Sequence, residues 1–71
     1  MEYLVVESKD EEVFYRLTEV SSISHDFAEN VLNESDMVEK GVKPLERVAV
    51  IAFEDGSTEV FSTIGLRFHF D

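Results

Sequence analysis

Ser24, His25 and Asp26 are the residue types of a nucleophilic hydrolase triad, and they stand side by side. Neighbours in the chain project in different directions, so the relay from carboxylate to imidazole to hydroxyl cannot form among them. His69 is the other histidine. With no Cys, no His-x-x-x-His pair and no Asp-x-Asp-x-Asp run, local spacing offers neither a zinc motif nor a calcium loop. Asp10, Glu11 and Glu12 could hold a hydrated cation weakly, but they read first as a solvated turn. Gly41, Gly56 and Gly65 are isolated and make no phosphate-cradling loop. Carboxylates are plentiful, yet a paired-carboxylate hydrolase needs a cleft that 71 residues hardly enclose. The expectation is therefore no enzyme, no cofactor, and neither a catalytic nor a metal site.

What remains is charge. Sixteen Asp and Glu face six Lys and Arg, a formal net charge of −10. Such a chain is repelled by nucleic acid and by anionic membranes, and attracts a basic protein surface through contacts that salt weakens. Two groups of acids are the candidate partner-binding residues: Asp26, Glu29, Glu34 and Asp36 on or near an exposed helix side, and Glu54, Asp55 and Glu59 around a hairpin turn. A helix rises about 1.5 Å per residue, which would space Asp26 and Glu29 by roughly 4.5 Å along its axis. One DNA strand carries a charge every ~3.4 Å, so a rigid acidic surface of this kind could fill a groove built for phosphates. The competing explanation is an ordinary solvated surface whose charge serves solubility.

These residues need a frame to hold them. Hydrophobic residues make up 44% of the chain and include 6 Phe, too many for a disordered acidic tail, so residues 1–71 are expected to fold as one domain. The longest apolar run, Val48–Phe53, is far short of the roughly 20 residues of a membrane span. The acidic start, Met1-Glu2, lacks the basic flank of a secretion signal. A cytoplasmic protein is expected, which sets aside the glycosylation pattern Asn33-Glu34-Ser35.

Residues 2–7 and 12–18 read as strands joined by a turn at Ser8–Glu11. Ser24 reads as the N-cap of a helix with Asp26 in its first turn and Phe27, Ala28, Val31 and Leu32 on its apolar side. That helix should end near residue 34 or 35, with a further single turn before Gly41. Asp55-Gly56, between Arg47–Glu54 and Ser57–Thr63, predicts a type I′ hairpin with Ile51 opposite Val60 and Val50 opposite Phe61. Leu66, Phe68 and Phe70 alternate with Arg67 and His69 as a last strand. The fold expected is α+β: one small antiparallel sheet of four to five strands in the order β-β-α-β-β, with one amphipathic helix on one face. Val48–Phe53 is apolar on both sides, so the second face needs cover from the sheet's own curl, a second copy or a partner. An alternative function follows, a non-catalytic structural or regulatory module that homodimerises through that face.

Asp26-Phe27-Ala28, Val31-Leu32, Ser35-Asp36 and Val38 together resemble a segment in a family of small, acidic, Cas9-inhibiting anti-CRISPR proteins carried by prophages of Gram-positive bacteria. Val48–Ser57 is similar to a helix-then-hairpin pattern in small phage proteins of unknown role. The first resemblance implies a phage-type protein that binds and inhibits a basic host or defence protein, such as a nuclease, by an acidic surface that takes the place of DNA.

Overall fold

A strand that is apolar on both sides must lie between two layers, and Val48–Phe53 does. A computed structural model describes residues 1–9 and 11–71 of the chain. In it β1 (Tyr3–Glu7) and β2 (Glu12–Arg16) lead through a single 3-10 turn (Leu17–Glu19) to β3 (Val20–Phe27). Two short helices follow, α1 (Ala28–Val31) and α2 (Glu34–Lys40), and then β4 (Arg47–Phe53), β5 (Thr58–Ser62) and β6 (Arg67–Phe70). The class is α+β, as expected. The strands form two antiparallel three-stranded sheets, β2-β1-β6 and β3-β4-β5, rather than one sheet of four or five.

Strand β4 sits at the centre. Its Ile51 is fully buried with Leu4 and Val6 of β1, and Tyr15, Phe53, Phe61, Leu66 and Phe68 pack around them between the sheets. On its other side Val48 and Val50, with Val60 of β5, meet Ala28, Met37 and Val42 from the helical segment. The layers are thus sheet, sheet and helices. The apolar face behind the homodimer expectation is covered within the chain, by the second sheet. Among the described residues no helix is long and apolar enough to cross a membrane.

Ser24 caps no helix. Residues 20–27 form an edge strand instead, with Ser24 opposite Val50 and Asp26 opposite Val48. The reason is tertiary: the open edge of β4 offers a ladder of backbone hydrogen bonds, while a short isolated helix must bear its own nucleation cost. The helical region then splits. α1 is one turn, and Asn33 restarts the helix by accepting the Asp36 N–H at 2.8 Å. This shift of phase buries Met37, which a continuous wheel from Ser24 places on the polar side. Gly41 (φ 68°) ends α2 in the left-handed region, with Gly41 N–H donating to Val38 O and Val42 N–H to Met37 O, and the side chains of Val42 and Met37 meet in the core. The helix therefore runs through Asp36 to Lys40, the stretch where only one turn was expected.

The hairpin also differs by one residue. Only Gly56 has a positive φ, so the turn is not type I′; a three-residue loop, Glu54-Asp55-Gly56, joins Phe53 to Ser57. Val50 consequently faces Val60, and Ile51 faces Glu59. The single-residue slip sorts Val60 to the helix side and Phe61 to the sheet side.

Candidate functional site

The seven acids singled out above fall at two ends of the β3-β4-β5 sheet. At one end, Asp26 sits at the corner where β3 turns into α1. Its Oδ1 accepts hydrogen bonds from Asn30 Nδ2 at 2.9 Å and from the Phe27 N–H at 2.7 Å. The Asn30 bond, then the Phe27 N–H and the nearby Arg47 charge hold its carboxyl below the ordinary range. Arg47 itself stacks over the Phe27 ring, 5.1 Å from its centroid. Asp26 is thus a structural clamp as well as a charge. Glu29 is exposed on α1, while Glu34 and Asp36 lie in the first turn of α2, where the helix dipole favours acids. Because Asp26 ends a strand, its helical spacing from Glu29 does not hold. The acids that do share one helix are Glu34, Asp36 and Glu39, stepping roughly 3 and 4.5 Å along α2.

At the other end, Glu54 and Asp55 are exposed in the hairpin loop. Asp55 Oδ1 accepts from Ser57 Oγ at 2.6 Å and from the Ser57 N–H at 2.9 Å, and these bonds hold its carboxyl low. The Glu54 N–H donates to Glu19 O at 2.9 Å, which docks the 3-10 turn on the loop and adds Glu19 to the group. Thr18, Glu19, Phe53, Glu54 and Asp55 line a shallow depression there. No local signal marked Glu19, since its place depends on a contact between segments 35 residues apart. Glu59 is exposed on β5, on the side of Tyr15, whose phenol is pushed up by burial and then by the charges of Glu59 and Glu11.

The two groups are not brought together. Asp26 lies level with Val48 and Glu54 follows Phe53; the five strand steps from Val48 to Phe53, at ~3.3 Å each, set these two ends of the strand roughly 17 Å apart. They share a lack of ion pairs with Lys or Arg. Among the described residues, Glu7 Oε1 and His69 Nε2 make the one acid–base contact within 4 Å, and no Lys or Arg pairs with any Asp or Glu.

A third grouping comes from the outer face of the β2-β1-β6 sheet. Glu7 stands directly opposite Glu12, and His69 lies diagonally across from Glu7 on β6. One ligand atom from each of Glu7, Glu12 and His69 lies within 4.8 Å of the others, with Glu7 Oε1 3.8 Å from His69 Nε2. A hydrogen bond with Glu7, then desolvation and the Glu7 charge, push the Glu12 carboxyl above the ordinary range. Of the expected Asp10-Glu11-Glu12 turn, Asp10 lies outside the described residues. On β3, strand alternation sends His25 to the face opposite Ser24 and Asp26, so these three converge on no common point. No protein-family model matches the chain, and comparison with curated proteins and with solved structures gives no significant match.

Proposed function

We propose that this chain is a non-catalytic, cytoplasmic binding protein whose two acidic ends cover a basic surface on another protein, such as the DNA groove of a nuclease, and inhibit it by standing in for a phosphate backbone. The observation that carries this reading is the absence, among the described residues, of any Lys or Arg paired with an Asp or Glu. A net charge of −10 left uncompensated in an ordered scaffold repels itself, and a basic partner relieves that repulsion. The resemblance of residues 26–38 to prophage-carried anti-CRISPR proteins favours an inhibitory outcome.

The test uses variants chosen to spare the fold. Asp26 and Asp55 tie down a corner and a turn, so the charge reversals are Glu29→Lys with Glu34→Lys and Glu39→Lys at one end, and Glu19→Lys with Glu54→Lys and Glu59→Lys at the other. Each of these side chains is exposed. At about 0.2–1 kcal/mol per exposed charge, three together change affinity roughly 3- to 150-fold. Capture from a host lysate at low and high salt, with duplex DNA as competitor, should recover basic proteins that salt and DNA release and that at least one triple variant fails to hold. Capture unchanged by DNA and by both triples would refute the proposal.

A further inference from the structure

We propose that Glu7, Glu12 and His69 form a binding site for a divalent transition-metal cation of the zinc class. The donor set selects the ion. One imidazole with two carboxylates suits zinc and its neighbours, whereas magnesium and calcium take oxygen ligands alone. The register fixes the donors, since they stand on three adjacent strands, Glu7 facing Glu12 and His69 on the diagonal. Beneath them Val5 is fully buried, with Phe14 and His69 opposite it on the two flanking strands. This is a packed floor beneath the exposed Glu12 and His69 and the half-buried Glu7.

The distances are short enough. Bonds of about 2.0–2.1 Å in a tetrahedral site set donors roughly 3.3 Å apart, and Glu7 Oε1 is already 3.8 Å from His69 Nε2. Small rotations of surface side chains close the rest. The arrangement also converges where simple charge pairing would disperse it. Arg67 is the residue directly opposite Glu7, yet the Glu7 carboxylate contacts His69 and no Arg within 4 Å. Two acids facing each other across a strand pair repel, and a dication between them turns that repulsion into attraction. With three protein ligands, a fourth position is left open to water or to a donor from a partner. The site lies on a different sheet from the acids invoked above and stands independently of that reading.

The experiment is titration of the untagged protein with Zn²⁺ alone and with Mg²⁺ alone, followed by calorimetry and by amide NMR. Zn²⁺ should bind saturably at one ion per chain and shift the amides of β1, β2 and β6 first. Loss of an outer-shell partner alone weakens metal sites 10–100-fold. His69→Ala and Glu7→Gln/Glu12→Gln should therefore each weaken binding by at least about tenfold. His69→Gln, which keeps bulk over Val5, should match His69→Ala, and His25→Ala should bind as the parent does. Equal Zn²⁺ affinity in the parent and in both His69 variants would overturn the proposal, as would an equal loss in His25→Ala or the same amide shifts with Mg²⁺ at the same concentration.

Discussion

Truncating Ile51 to Ala tests whether β4 is covered within one chain. Ile51 is fully buried between the sheets with Leu4 and Val6. The change removes three buried carbons at about 0.8 kcal/mol each. With the cavity left behind, the expected loss is about 3–4 kcal/mol. A 71-residue domain has roughly 4–11 kcal/mol of total stability at ~0.05–0.15 kcal/mol per residue, so the variant should be marginal or unfolded. At about 4–8 °C per kcal/mol, its melting temperature should fall by roughly 12–30 °C. Ile64→Ala is the control. Its side chain is 73% exposed and should change stability by less than about 0.5 kcal/mol. Circular dichroism melts and urea titrations at two well-separated protein concentrations provide the assay. Intramolecular cover requires a parental melting temperature independent of concentration. If Ile51→Ala costs under about 1 kcal/mol, or if the parental melting temperature rises with concentration, the sheet-on-sheet core is wrong and cover between chains returns as the better account.

Asn33→Ala removes the side-chain acceptor that restarts the helix and should cost about 1 kcal/mol in a urea titration; no loss would mean that α2 does not begin there. Asp26 and Asp55 have carboxyls held low in the folded state, so the stability they contribute is present above the ordinary Asp value and lost as pH falls through their lower folded values, below about pH 4. Melting temperature against pH should therefore decline less steeply in Asp55→Asn than in the parent. Glu12 has the opposite sign: its raised carboxyl favours the fold only while protonated, and that contribution is lost as pH rises through the raised value. Metal-free Glu12→Gln should then melt higher than the parent at neutral pH.

Patterns confined to neighbours in the chain are legible in the sequence by itself. The β1-β2 hairpin, the hairpin at Asp55-Gly56, the last strand and the α+β class follow from period-two alternation and turn chemistry, which act over a few residues. The acidic candidates are equally visible, because charge is a property of composition. Partners distant in sequence decide the rest. Ser24-His25-Asp26 has good helix-capping chemistry, but the open edge of β4 offers residues 20–27 more hydrogen bonds than a helix start could. Glycine identity alone cannot separate a type I′ turn from a three-residue loop, and one residue of register chooses which of Val60 and Phe61 meets the second sheet. Glu19 joins Glu54 only through a backbone bond across 35 residues. Glu7, Glu12 and His69 come together only because the first and last strands pair with each other, and no local spacing encodes that juxtaposition.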